Sequence, residues 1–308
     1  WNRLQDTIVA INSSLVQTGV DVTVYVVDQG SIPKVINGLK GYFQNNSKVI
    51  FHCLEENVGV AEGRNIGYRL GQSKYIFSLD NDAKFVNKDT LHKCVDLLNK
   101  ANNISLITLK IINYTNEEDQ EVRSLSNIYD DDKECDVVRF SGGAHLIKRE
   151  IFEDVGGYDK ELFFGGEEEE LSRKIIINQG LIKYTPQQYV LHKVAREEKL
   201  DWATGRYYYL VRNRLYIKRK FGEKFILTFF YMIGYLIKGI YNGVLPQAFR
   251  GIKDSFKMYS KFKNSGKDNR LYLENQYSID YFNKNESIRR GSFFKKIKNE
   301  LFIKLPTS

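Results

Sequence analysis

Two short apolar runs that stop abruptly at acidic residues constrain this chain more than any other feature. Val22-Thr23-Val24-Tyr25-Val26-Val27 ends in Asp28-Gln29-Gly30-Ser31, and Tyr75-Ile76-Phe77-Ser78-Leu79 ends in Asp80-Asn81-Asp82. Both have the length and the β-branched or aromatic content of buried strands. Helical periodicity surrounds them. Leu4, Ile8, Ile11 and Leu15 fall on one helical face; Ile32 to Phe43 and Ala61 to Leu70 read as helices, with a strand over Val49 to Leu54 and a turn at Glu55–Gly59. Strands alternating with helices predict an α/β fold, a mainly parallel sheet with helices on both faces. Ligands of such sheets bind beyond the carboxyl ends of the strands. Asp80 and Asp82 would repel each other there unless a cation or ligand hydroxyls lay between them. The pair is a candidate site for a hard divalent metal; the competing reading is a polar turn that uses Asp and Asn for its backbone geometry.

Further along, residues 89–100 form a helix with Leu91, Val95 and Leu98 on one side, followed by a strand over Ile104 to Ile112. Residues 113–136 are polar and acidic, and the run Asp130-Asp131-Asp132 is expected to be solvated in a surface loop. Strand character resumes at Val137 to Phe140 and meets Ser141-Gly142-Gly143. A turn at Val155–Asp159, a helix from Glu167 to Gln179 and a short strand at Tyr189–His192 complete this region.

Charge divides the chain in two. Residues 1–204 carry 24 Lys/Arg against 31 Asp/Glu, whereas residues 205–308 carry 22 against 7. The expected organisation is two functional parts, an α/β domain over 1–200 and a helical basic region over 201–308 that meets something anionic. Cys53, Cys94 and Cys135 lack metal-site spacing and suit a reducing compartment. Phe225 to Ile237 is mostly apolar but, at about thirteen residues, falls short of the ~20 that span a bilayer. It reads as a buried or interfacial helix.

Two more stretches carry chemistry. In Asn57-Val58-Gly59-Val60-Ala61-Glu62-Gly63-Arg64-Asn65-Ile66-Gly67, the glycines permit close backbone approach and Arg64 sets a guanidinium near anionic oxygens. Ordinary helix packing explains the same glycines. In Gly165-Gly166-Glu167-Glu168-Glu169-Glu170, four acids suit a helix N-terminus. Leu162-Phe163-Phe164 just before them would also raise the pKa of a neighbouring carboxyl and make a general base of it.

The ordered set resembles the family 2 glycosyltransferases: Val-Val-Asp-x-Gly-Ser, Asn-x-Gly-x-Ala-x-x-Arg-Asn-x-Gly, Leu-Asp-Asn-Asp, Gly-Gly-Tyr-Asp, the acidic quartet before Leu-Ser, then a late His. The resemblance covers residues 1–200 and implies a GT-A fold and a nucleotide-sugar donor. It further implies that Asp28, Asn57, Gly59, Arg64, Asp80, Asn81, Gly142 and Gly143 bind the donor. Within that set Asp28 would hold the base, Arg64 would lie near base or diphosphate, Asp80 would meet the ribose, and the Gly142–Ala144 turn would border the sugar. Asp82 and His192 would hold a divalent metal, Mn²⁺ or Mg²⁺; for His192 the alternative is a packed strand-end histidine. Glu168 maps onto the catalytic base although relatives have Asp there, and a slip of one residue gives Glu167 or Glu169.

Glycosyl transfer through an oxocarbenium-like state needs a cation for the departing diphosphate and a base for the acceptor hydroxyl. A single base with no nucleophilic carboxylate implies inversion. Relatives begin with a strand and loop before the first helix, so the resemblance implies that a central strand is missing and that residues 1–308 alone are unstable. The tail segment Tyr207–Lys220 mixes aromatic and basic residues as an interfacial membrane helix does. Nucleic acid is not the expected partner, since no recognition motif is present. The sequence thus points to an inverting hexosyltransferase at the cytoplasmic face of the cell membrane, acting on a glycan or lipid-linked acceptor in surface polysaccharide synthesis. UDP-hexose is the favoured donor and dTDP-rhamnose the second choice. A nucleotidyltransferase on a similar fold, or a non-catalytic glycan- or membrane-binding protein, are the alternatives.

Overall fold

The computed structural model describes residues 1–114, 120–123, 133–193, 205–266, 269–286 and 305. The strand–helix alternation read in the first third of the chain is present almost residue for residue. It runs α1 (Leu4–Leu15), β1 (Val24–Gln29), α2 (Pro33–Tyr42), β2 (Val49–Leu54), α3 (Val60–Leu70) and β3 (Tyr75–Leu79). There follow β4 (Ala83–Phe85), α4 (Thr90–Asn99), β5 (Ile104–Tyr114), β6 (Gln120–Arg123) and β7 (Cys135–Asp136). Next come β8 (Ala144–Lys148), α5 (Arg149–Asp154), α6 (Glu167–Ile177) and β9 (Leu181–Lys193). Helices α7 (Tyr207–Lys220), α8 (Phe225–Tyr241), α9 (Leu245–Lys263) and α10 (Gln276–Glu286) end the described chain. The Asp130–Asp132 run and the domain boundary expected near residue 200 lie outside the described residues.

The fold is α/β, as expected, but its sheet is mixed rather than mainly parallel. β1 pairs only β2, in parallel. The larger sheet has the order β3-β8-β5-β9-β4, and there only β5–β9 pair in parallel. β8 lies antiparallel to both its neighbours, β3 and β5. This strand begins after Gly142-Gly143, where the sequence suggested one ending before them; residues 137–140 touch the sheet chiefly through the Val137 N–H, which donates to Ile182 O. The last strand is also longer than its four apolar residues imply. It extends through Pro186 and shifts register against β5 between Leu109 and Lys110.

Hydrophobic packing holds the layers. One face of the large sheet buries Leu91, Cys94, Leu97 and Leu98 of α4 against Ile107, Leu109 and Val190. The other buries Leu171, Ile175 and Ile176 of α6 against Leu106, Ile147 and Ile182. Tyr216, Ile217 and Phe221 of α7 belong to that same cluster. The Tyr207–Lys220 stretch therefore spends its aromatic face on the protein interior, and Tyr207 and Tyr216 are among the largest fully buried side chains. Among the described residues, no helix is long and apolar enough to cross a membrane.

A channel of about 570 Å³ separates β1 from β3. The facing strands, Val24–Val27 and Tyr75–Leu79, form its walls, with Ala10, Ile11 and Ser14 of α1 and Gly63, Gly67 and Gly71 of α3 completing it. Asp28, Arg64, Asp80 and Asn81 also line it, at the carboxyl ends of the strands.

Candidate active site

The direction of the strands gathers the acidic residues on one edge of the sheet. β3 delivers Asp80, whose N–H donates to Gly143 O at 3.0 Å just before β8 begins. His192 of β9 stands in register between Ala83 of β4 and Asn113 of β5. The Lys193 N–H donates to Asp82 O at 2.8 Å, which fixes the Asp-x-Asp turn against the end of β9. Asp80, Asp82 and His192 can each offer one ligand atom within 4.8 Å of the others. Two carboxylates and an imidazole nitrogen suit a divalent cation of the Mn²⁺ type. The fit is supported by charge. Asp82 is largely buried, which disfavours its anion, yet His192 (Nε2 to Oδ1, 3.3 Å) and Arg3 (Nη1 to Oδ2, 2.9 Å) hold its carboxyl below the usual range. His192 Nδ1 lies 3.1 Å from Asn113 Oδ1, which orients the ring.

Across from this cluster, Arg64 of α3 connects the two halves of the site. Its Nη2 donates to Asp80 Oδ1 at 3.3 Å and its Nη1 to Glu168 Oε1 at 3.3 Å, with Glu167 Oε1 at 3.8 Å. The Tyr158 ring lies 5.8 Å from the guanidinium carbon. Burial disfavours the charge on Arg64, but Tyr158, Glu168 and Asp80 outweigh it and raise its pKa.

The acidic quartet divides into two pairs. Glu167 and Glu168 face Arg64, whereas Glu169 meets Arg139 and Arg173 and falls to about 2. Glu170, fully buried, binds Lys174 and Lys220. Burial and the adjacent Glu168 push Glu167 up to about 8, and no hydrogen bond reaches its buried Oε2. Glu168 is the more accessible of the facing pair, with its side chain 26% exposed against 5% for Glu167. The position of α6 explains the division: Gly166, at φ 92°, starts the helix in the left-handed region, and the first turn presents its residues to different neighbours.

Gly142 and Gly143 leave room for the charged side chains of the site. A Cβ at Gly142 would run into Glu168 and Arg64, and one at Gly143 would run into Asp80.

The family model described as "Glycosyl transferase family 2" matches residues 1–156. The chain belongs to this family. A chondroitin synthase of Escherichia coli is 30% identical over 120 residues, 39% of this chain and 16% of that protein. An uncharacterized glycosyltransferase of Rickettsia bellii (strain RML369-C) is 35% identical over 85 residues, 28% of this chain and 12% of the relative. The chain thus spans a small part of the length of the curated relatives it matches. Among solved structures, GalNAc-T7 with UDP, GalNAc and Mn²⁺ aligns over 82% of this chain and 52% of its own, at 16% identity and a TM-score of 0.57. S. aureus TarS aligns over 70% and 38%, at 16% identity and a TM-score of 0.54. The Pyrobaculum calidifontis mannosyltransferase PcManGT, in complex with GDP-Man and Mn²⁺, aligns over 98% and 82%, at 12% identity and a TM-score of 0.52. These likenesses show a shared GT-A fold.

In this family 2 chain the structure brings together Arg64, Asp80, Asp82, Gly142, Gly143, Glu167, Glu168 and His192. Asp28 lies at the channel end, its Oδ2 accepting from the Ser31 N–H at 3.0 Å. Three of the expected donor-binding residues are engaged within the protein. Asn57 is exposed and caps its own turn, its Oδ1 accepting from the Gly59 N–H. Gly59, at φ 88°, lets the backbone pass Phe163, where a Cβ would collide. Asn81 donates to Thr7 Oγ1 on α1 at 3.3 Å.

Sequence reasoning missed Arg3, His145 and Asn65. His145 is fully buried behind the Gly142-Gly143 turn: its Nδ1–H donates to Ser141 O, and its Nε2 lies 2.8 Å from the Tyr68 hydroxyl and 3.2 Å from that of Tyr158. Burial and Arg64 lower its pKa to about 3, so the ring is neutral. Asn65 exchanges two hydrogen bonds with the Tyr158 backbone and so ties α3 to the Gly-Gly-Tyr-Asp turn. Its signal was legible as the partner of Arg64 in the Arg-Asn motif, but only the fold shows what it grips.

Proposed function

We propose that the chain transfers a sugar, with inversion, from a nucleotide-sugar donor to a glycan or lipid-linked acceptor, in a metal-dependent reaction of surface polysaccharide synthesis. The observation that carries this reading is the placement of Asp80, Asp82 and His192 across Arg64 from Glu167 and Glu168. Asp82 and His192, with Asp80 beside them, would hold the cation, and a divalent ion bound there neutralises the departing diphosphate. Arg64 adds a second positive group facing the same space. Glu168, the more accessible of the facing pair, accepts the proton of the acceptor hydroxyl as that oxygen attacks the anomeric carbon and the diphosphate departs. Glu169 and Glu170 are held by cations, and burial beside Glu168 keeps Glu167 protonated below about 8, which supports a single base and direct displacement. A UDP-hexose is the first choice of donor, ahead of dTDP-rhamnose; GalNAc-T7, which shares the fold, was solved with UDP.

A donor panel with Mn²⁺ tests the reading through two readouts, thermal shift and nucleoside diphosphate release. Glu168→Gln is expected to keep the donor-induced shift and to lower release by 10²–10⁴-fold, as loss of a general base does. Asp82→Ala is expected to lose both the Mn²⁺-dependent shift and turnover. A Glu168→Gln variant with undiminished release would remove that residue from the mechanism.

A further inference from the structure

Helix α8 buries one face against α7 and α9 through Thr228, Met232 and Gly239. Its opposite face is apolar as well. Ile226, Phe229, Phe230, Ile233, Ile237 and Ile240 recur at helical spacing on one stripe, and all are exposed, Phe230 and Ile240 by 62% and 66%. Soluble surfaces rarely carry contiguous apolar patches of this kind unless they bind something.

The neighbouring helix says what that something is. Along α9, Arg250, Lys253, Lys257 and Lys261 fall on one face beside the exposed Phe249 and Phe256, opposite the buried Ala248, Gly251 and Ser255. Lys257 and Lys261 keep side chains 68% and 69% exposed despite ion pairs with Asp254 and Glu161. The two faces adjoin where the Phe225 and Phe256 rings lie 6.4 Å apart. An apolar stripe flanked by a basic row is the composition of a helix that lies in a bilayer interface: acyl boundary for one, anionic headgroups for the other. With 17 residues, α8 is ~25 Å long and lies in the plane instead of crossing it. A second copy of the chain fits less well, since a two-fold contact through this face would oppose two like-charged rows.

We propose that the outward face of the α8–α9 hairpin docks on an anionic lipid surface, α8 inserting its Ile226–Ile240 stripe and α9 setting Arg250, Lys253, Lys257 and Lys261 over the lipid phosphates. This face shares no residue with the candidate active site, so it stands or falls independently of sugar transfer. Flotation of the full chain with phosphatidylglycerol/phosphatidylcholine vesicles and with phosphatidylcholine vesicles tests it. The unmodified chain is expected to float with the anionic vesicles at low salt and to release at high salt. Phe230→Asp/Ile237→Asp is expected to weaken binding at least tenfold with an unchanged melting temperature. Lys253→Glu/Lys257→Glu is expected to weaken it and flatten its salt dependence. Equal flotation of the Asp pair and the unmodified chain would overturn the proposal. So would absence of vesicle binding by the unmodified chain, with a concentration-dependent dimer that the Asp pair dissolves; the occupant would then be a second copy.

Discussion

At the scale of single residues, Glu167 is the most informative group in the site. It is buried beside Glu168 and pushed up to about 8, so the folded protein keeps a proton there that the unfolded chain releases near 4.5. The folded state binds more protons than the unfolded state between these values. Stability from this group is therefore fully present below about 4.5 and is lost as pH rises towards about 8. We expect urea unfolding of the native chain to show this fall, and Glu167→Gln, neutral in both states, to flatten it. A similar slope in the variant would assign the dependence to other groups. The two acids differ in access as well, since the Glu168 side chain is 26% exposed and that of Glu167 only 5%.

At the scale of elements, α7 fastens α6. Lys220 Nζ reaches both Asp159 of the Gly-Gly-Tyr-Asp turn and Glu170 of α6, and all three side chains are almost fully buried. Asn213 of the same helix donates to Phe164 O and Gly165 O, holding the loop that starts α6. Lys220→Met would leave Asp159 and Glu170 as buried carboxylates with Lys174 as the remaining cation on Glu170. Breaking such a network costs about 3–5 kcal/mol, readable as a lower urea midpoint, with turnover falling as α6 loosens.

This dependence was not legible in the sequence, where Lys220 was one base among many in an aromatic, basic helix. Elements with strong periodicity were legible: α1 to α4, β1 to β3 and α6 follow from apolar spacing alone. The direction of β8 was not, because it is set by pairing with β3 and β5, strands distant in sequence. The acids at strand ends were legible through their abrupt end to apolar runs. Arg3 and His145 were not, because their contacts join residues 79 and 77 positions away. Which face of the tail meets solvent also escaped: local composition favoured α7, whereas packing buries α7 and leaves α8 outermost.

At the scale of the whole molecule, the structure is built of unequal parts. β5, β8 and β9 lie inside a sheet covered on both faces, while β1–β2 form a separate pair packed against Ile8, Ile11 and Leu15 of α1. A two-stranded pair has little stability of its own. Hydrogen exchange is expected to show amides of β1 and β2 opening well before those of β5 and β9; equal protection would mean that the channel between β1 and β3 does not uncouple them.

That channel has a practical meaning. β1 and β3 each turn one edge to it, and each edge carries a row of backbone donors and acceptors that no strand of the described chain meets. Walls of this kind accept an extended segment far more readily than a helix or a loop. The fold thereby offers two open strand edges to which an extended segment could add by backbone pairing.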